Sequence, residues 1–137
     1  MSPNAGPVIT VAAVVFRDAD GRMLTVRKTG TAKFMLPGGK LEPGESAADA
    51  AVREVAEELG VRLRVEELVL LGEFEADAAN EPGHLVRSTV FTWAGEVTPD
   101  AAAEIAELRW ASLGEITDGA DFAPLTREYV VPALEPA

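Results

Sequence analysis

The stretch from Ser46 to Leu59 constrains this chain more than any other. It is rich in alanine, contains no Pro or Gly, and sets Ala48, Ala51, Val52, Val55 and Leu59 at helical spacing. Ser46 is a good N-cap, Asp49 three residues on makes a capping-box variant, and Gly60 stands where a C′ glycine ends a helix. Residues 42–58 also carry six acids (Glu42, Glu45, Asp49, Glu54, Glu57, Glu58) against one base, Arg53. Glu54, Glu57 and Glu58, spaced i, i+3 and i+4, fall within roughly 100° of one another and border the apolar stripe. A solvated charged face is the ordinary meaning of such a pattern. Here Lys partners at i+4 are missing, and the acids sit in the C-terminal half, where the macrodipole disfavours negative charge. Carboxylates about 5 Å apart repel by on the order of 3 kcal/mol at an effective dielectric of 20. A divalent cation would remove that repulsion and turn the cluster into a site. Pro37-Gly38-Gly39, just upstream, is expected to break any regular element and to let backbone carbonyls approach the helix. Carbonyl plus carboxylates is the ligand set of a hard cation with open positions for phosphate oxygens and an attacking water.

Composition narrows the chemistry further. The chain has 12 Lys+Arg against 23 Asp+Glu, a formal charge of −11. That balance argues against a nucleic-acid surface, which needs a basic stripe, and against docking on anionic membranes. Cysteine is absent and His84 is the one histidine. Disulfides, thiolate nucleophiles and zinc–thiolate sites are thereby excluded, and any metal must be held by oxygen, as Mg²⁺, Mn²⁺ or Ca²⁺ are. The first residues show no basic region followed by an apolar stretch, and no apolar run approaches the roughly 18 residues that span a bilayer. A cytoplasmic protein is the expectation.

Along the 137 residues, one domain is expected, with 1–7 as a loose N-terminal arm. Val8 to Phe16 reads as a buried strand, and Asp18-Ala19-Asp20-Gly21 as a turn returning the chain through Met23 to Val26 as a hairpin. Glu67 to Phe74, Leu85 to Trp93 and Glu107 to Ala111 read as strands, with Trp110 inward. A long polar connection runs from Glu75 to His84. Ser112 to Ile116 is a short helical turn, and Ala123 to Leu134 a terminal helix stopped at Pro132. Strands alternating with helices predict a mixed α/β sandwich. Phe34, Phe74 and Trp93 are expected in the core, and His84 in a loop or on an edge strand.

Gly39, five residues, Glu45, seven residues, then Arg53-Glu54-Val55-Ala56-Glu57-Glu58-Leu59-Gly60-Val61 resembles the complete Nudix box, G-x5-E-x7-R-E-U-x-E-E-x-G-U with U aliphatic. Every fixed position is filled, and a chance match is roughly 10⁻⁸ per window at background usage. Leu36-Pro37-Gly38-Gly39 upstream and Leu108-Arg109-Trp110 with Leu113 downstream resemble the family too. The resemblance covers about residues 8–134.

The resemblance implies a Nudix fold, a mixed β-sheet sandwiched between α-helices (an α/β/α sandwich). It implies hydrolysis of a diphosphate linkage in a nucleoside diphosphate joined to another group, with Mg²⁺ or Mn²⁺. By it, Glu54, Glu57 and Glu58 are metal ligands, Glu54 first among them as proton acceptor. Gly39 offers its carbonyl to the metal, Arg53 orients Glu54, and Glu45 supports the loop–helix junction. A distal carboxylate matches Glu104 best, with Glu107 second. Arg27 and Lys28 fall in a region that can face substrate. The partner is a nucleotide, and the chain a monomer or homodimer.

An isomerase of the same fold acting on prenyl diphosphates would need a Cys, and a regulator of this fold typically has a degraded box. A Ca²⁺ module would need EF-hand spacing, which is absent. A binding domain that keeps its metal site is the remaining non-enzyme reading. Branches acting on ADP-sugars or dinucleoside polyphosphates often carry a Pro or Tyr soon after the box, where Ala76, Asp77, Ala78 and Ala79 stand here. The compact length resembles the MutT-like branch acting on nucleoside triphosphates, with ADP-ribose, ADP-sugar or dinucleotide hydrolysis as the alternative. In that branch an Asn near the terminal helix reads oxidised guanine; Thr126 occupies its place, and Asn80 is the nearby amide that would have to compensate.

Overall fold

The computed structural model describes residues 7–135. The expected arm of residues 1–7 therefore lies, apart from Pro7, outside the described residues. At the centre is β1 (Val8–Val15), whose β-branched and small residues suit a strand covered on both faces. It runs parallel to β5 (Leu85–Thr92) on one side and antiparallel to β3 (Gly38–Lys40) on the other. β4 (Val69–Asp77) pairs antiparallel with β5, giving the mixed order β3-β1-β5-β4. β2 (Met23–Lys28) and β6 (Ile105–Ala111) form a separate antiparallel pair.

The period of two along β1 divides the core. Ala12, Val14 and Phe16 pack with Ala51, Val55 and Leu59 of α1 (Ala47–Leu59). Ala13 and Val15 face the other way, onto Ile116 of α2 (Leu113–Asp118) and onto Leu125, Val130 and Val131 near the C-terminus. Helices thus cover both faces, the α/β/α arrangement expected. Ser46 Oγ accepts the Asp49 N–H, and Gly60, with φ of 66°, donates to Ala56 O, closing α1 at both predicted ends.

Three expectations are corrected. The predicted 8–26 hairpin exists only at its root, where Arg17 bridges Met23 and the Leu24 N–H reaches Phe16 O. Beyond it β2 leaves β1 and pairs with β6. Met23 to Val26 are all fully buried, so β2 shows no polar alternation to reveal its partner. The Gly38-Gly39 pair does not interrupt regular structure: it is β3, paired with Ala13 and Ala12. Pro132 does not stop the last helix, which continues to Leu134 as α3 (Val131–Leu134). A wide turn over Thr126–Val130 places the Val131 N–H on Thr126 O, five residues back, and this shift of hydrogen-bond register precedes the proline that lacks a donor. β4 also runs on to Asp77, so the polar connection shortens to residues 78–84.

Candidate active site

The site begins with close approach between β3 and α1. A Cβ on Gly38 would stand 2.0 Å from Ala12 O, and its φ of 151° is one that side chains rarely adopt. A Cβ on Gly39 would stand 2.4 Å from Glu54 Cδ, so the Glu54 carboxylate lies directly over the glycine. One residue along, the Gly38 N–H donates to Glu58 Oε1 at 3.0 Å. The strand that brings Gly38 and Gly39 beside α1 therefore anchors two of the three predicted carboxylates.

Arg53 organises the rest. Its Nε and Nη2 donate to both oxygens of Glu45 at 2.8 and 2.9 Å, a bidentate pair that ties the start of the loop to the helix. Nη2 also donates to Lys40 O at 3.0 Å, and Nη1 donates to Glu54 Oε1 at 2.7 Å and reaches Glu57 Oε2 at 3.5 Å. The guanidinium holds the Glu45 carboxyl down at about 2, helped by the Glu42 N–H, and the carboxylates push Arg53 above its ordinary value.

Glu58 is fully buried, an exceptional place for a carboxylate. Burial pushes its carboxyl up to about 7, against the opposing pull of Lys28 and the Gly38 N–H. Lys28 Nζ stands 3.3 Å from Glu58 Oε2, close enough for an ion pair. The oxygen nonetheless receives no aligned hydrogen bond. A buried carboxylate oxygen without a donor is costly in water-free surroundings and is a natural place for a cation.

Beside these groups lies a cavity of about 380 Å³, a size suited to a small ligand; Glu54, Glu57, Gly38, Gly39 and Lys28 line it, whereas Glu45, Arg53 and Glu58 sit behind its wall. Lys28, Gly39, Lys40, Glu54, Glu57 and Glu104 line one end of it. Among the described residues, no three Asp, Glu, His or Cys side chains converge as a ready cluster. Arg53 engages Glu54 and Glu57, and Lys28 engages Glu58, so each of the three carboxylates has a cationic partner within the chain.

The NUDIX domain family matches residues 6–133, almost the whole chain. The chain belongs to the Nudix family. It is 45% identical over 60 residues to a MutT-like protein of Streptomyces ambofaciens, a segment that is 44% of this chain and 38% of that protein. It is 30% identical over 105 residues to a Bacillus subtilis (strain 168) protein provisionally named an 8-oxo-dGTP diphosphatase, over 77% of this chain and 67% of that one. The chain thus spans well under half of the first relative. The crystal structure of the MutT protein from Methanosarcina mazei Go1 superposes with a TM-score of 0.79 at 24% identity, covering 94% of each chain, which shows the shared Nudix fold.

The remaining predicted residues separate. Glu104 lines the cavity, while its own carbonyl accepts the Thr29 N–H at 2.9 Å. Glu107 does not line it and pairs instead with Arg27 at 3.3 Å. The structure also turns Arg27 away: its guanidinium donates to Thr31 O at 2.9 Å and lies 5.9 Å from the Phe34 ring centroid. Successive residues of a strand point to opposite faces, and a register shift falls between Arg27 and Lys28, so only Lys28 reaches the cavity. Asn80 is not a lining residue either; its Oδ1 accepts the Lys33 N–H at 3.3 Å. Thr126 does line the cavity. His84 sits in the 78–84 connection, its Nδ1 against Pro82 O. Phe34 is buried, Phe74 and Trp93 pack against the core, and none of the three lines the cavity.

Four polar lining residues were not among the predicted site residues: Lys40, Asp77, Glu81 and Ser88. A signal existed for Ser88, a lone small hydroxyl at the inward parity of Val86, Ser88 and Val90 in an apolar strand. Lys40 and Asp77 carry no comparable mark.

Proposed function

We propose that this Nudix chain is a divalent-metal-dependent pyrophosphohydrolase that cleaves a nucleoside triphosphate to a monophosphate and pyrophosphate. The observation that carries the reading is Glu58, buried against the Gly38 N–H with one oxygen lacking a donor, beside Glu54 held over Gly39. That donor set is all oxygen and anionic, so the residues fit a hard cation. Glu54, Glu57 and Glu58, the Gly39 carbonyl and Glu104 across the cavity would hold Mg²⁺ or Mn²⁺. When bound, such a cation neutralises phosphate oxygens and lowers the pKa of a water.

The chain's own groups supply the rest. Glu54 takes the proton from the attacking water, and Arg53 fixes its carboxylate through Nη1 at 2.7 Å. The bidentate Arg53–Glu45 pair keeps that guanidinium from following substrate out of place. Lys28 and Lys40 both line the cavity and bring positive charge to it, Lys28 with its ammonium 3.3 Å from Glu58, where phosphate oxygens need such charge in an otherwise acidic chain. One domain, a cytoplasmic location and a monomer or homodimer belong to the same proposal. Among the described residues, no helix is long and apolar enough to cross a membrane.

The test is a phosphate-release screen with Mg²⁺ and with Mn²⁺, coupled to inorganic pyrophosphatase for nucleoside triphosphates and to alkaline phosphatase for ADP-ribose and dinucleoside polyphosphates, whose cleavage yields phosphate monoesters and no pyrophosphate. Pyrophosphate from triphosphates is expected. Turnover of ADP-ribose alone would replace the substrate, and no turnover of any compound would overturn the enzyme reading.

A further inference from the structure

Of the five residues from Asp77 to Glu81, four line the cavity, and Asn80 alone does not. Its side chain leaves the wall: Oδ1 accepts the Lys33 N–H at 3.3 Å, from a loop 47 positions away in sequence. The other hydrogen bonds of this stretch are internal to it. The Ala78 N–H donates to His84 O at 3.0 Å, the His84 N–H donates to Glu81 O at 3.1 Å, and His84 Nδ1 lies 3.1 Å from Pro82 O. Glu81, Pro82 and Gly83 are exposed, and no residue from 78 to 84 packs into the core. Segments with so few buried contacts open at little cost unless something fastens them. Among the described residues, the Asn80–Lys33 bond is the one hydrogen bond that ties residues 79–83 to the rest of the chain.

The loop that receives Asn80 is firmly built. The Thr31 N–H and Oγ1 both donate to Lys28 O, at 3.0 and 2.7 Å, and Arg27 Nη1 donates to Thr31 O at 2.9 Å. Lys33 Nζ donates to Ala120 O. At the loop's other end the Thr29 N–H donates to the carbonyl of Glu104 at 2.9 Å. Backbone donors at the two ends of residues 29–33 thus hold two parts of the cavity wall, Glu104 and the 78–84 connection. We propose that Asn80 is a positioning residue that latches the 78–84 connection onto the 29–33 loop through the Lys33 N–H, and so keeps Ala78, Ala79 and Glu81 on the cavity wall. A neutral bond at 3.3 Å is a long one, so the latch opens readily for entry and release. It acts on binding and not on the chemical step, because Glu54, Glu57 and Glu58 belong to α1 and are held by Arg53, Gly38 and Lys28. The latch rests on the nucleotide reading of the site and says how this chain keeps the wall away from α1 in place.

The experiment measures kcat and KM for ATP and GTP, and amide hydrogen exchange of the ligand-free protein, in the wild type, Asn80→Ala and Asn80→Asp. Asn80→Ala removes the acceptor. It should raise KM about 5-fold, the scale of one neutral hydrogen bond, with kcat within about 2-fold of wild type. Exchange of the Lys33 amide should accelerate by about the same 5-fold, without any substrate present. Asn80→Asp keeps an oxygen at the acceptor position and should restore both values, with KM read at about 0.3 M salt so that the added charge is screened. Lys33 exchange at the wild-type rate in Asn80→Ala would overturn the latch while leaving triphosphate hydrolysis standing. So would an unchanged KM, whether kcat or the melting temperature falls or not, since Asn80 would then be scaffold only. A wild type that turns over no nucleotide would remove the nucleotide reading, and the Asn80–Lys33 bond would lose its role in binding even where the exchange data confirmed the bond.

Discussion

The two ends of the cavity are built on opposite principles. At the acidic end the predicted carboxylates are each held: Glu54 by Arg53 and Gly39, Glu57 by Arg53, Glu58 by Gly38 and Lys28. The rest of the lining includes the hydroxyl-bearing Ser88 and Thr126 and the aliphatic Leu36, Val86 and Leu125. Charges in a poorly hydrated cleft must be fixed, because an unpaired one is costly and a misplaced one fails to meet developing charge. Hydroxyls at an apolar wall can stay loose, because their energies are small and their geometry adapts. The difference teaches where tolerance to change resides: little at the box, more along the rest of the lining.

The largest effect should follow from metal removal. Exhaustive chelation should abolish turnover, and added Mg²⁺ or Mn²⁺ should restore it. Undiminished hydrolysis in chelator would sever the acidic end from the chemistry altogether.

Next come the carboxylates themselves. Glu57→Gln and Glu58→Gln are each expected to lower kcat by at least about 10²-fold while the fold persists. For Glu58 a second measurement separates ligand from scaffold. The folded chain holds the Glu58 proton up to about pH 7 because burial disfavours the charge, whereas the ordinary value of a glutamate is 4.5. The metal-free protein should therefore keep this contribution below about pH 4.5 and lose on the order of 3 kcal/mol as pH rises through 7. Denaturant unfolding in chelator from pH 4.5 to 8 reads that slope, and Glu58→Gln should flatten it. Glu45 behaves oppositely: its lowered value gives stability that is lost as pH falls from 4.5 towards 2. A slope that survives Glu58→Gln would mean that another buried group carries it.

Glu104 and Glu107 give a smaller test. Glu104 lines the cavity, whereas Glu107 is spent on Arg27 outside it. Glu104→Gln should lower kcat about 10-fold or more, and Glu107→Gln by no more than about 2-fold. The reverse ranking would move the distal carboxylate to β6.

How far the sequence carried the reading follows the same divide. The acidic end was legible because its parts lie within one stretch, Gly39 to Gly60, and each is the residue its local geometry demands: a glycine under a carboxylate, a serine cap, a glycine stop. Residue order alone could not show that Gly38 and Gly39 form a strand, since the pairing partner, β1, is some 25 residues away. The same limit hid the true partner of β2, whose uniformly buried Met23 to Val26 give no face to read. Arg27 and Lys28 looked equivalent as a basic pair, and only the register of β2 against β6 separates them. Ser88 and Thr126 line the same cavity but are remote in sequence, so no spacing rule could have joined them.

The smallest expected effect concerns oxidised guanine. The Bacillus relative carries a provisional name as an 8-oxo-dGTP diphosphatase, yet among the described residues no Asn or Gln side chain lines the cavity. Thr126 stands where the MutT-like branch places an Asn, and Asn80 faces the Lys33 N–H instead of the lining. A single hydroxyl cannot present the paired donor and acceptor of an amide in one plane. Discrimination built on a fixed polar pair reaches orders of magnitude, and its absence should leave little. The ratio of kcat/KM for 8-oxo-dGTP to dGTP, measured with the same Mg²⁺, is therefore expected within about 10-fold of unity. A ratio above about 10³ would show that another residue has taken over base reading.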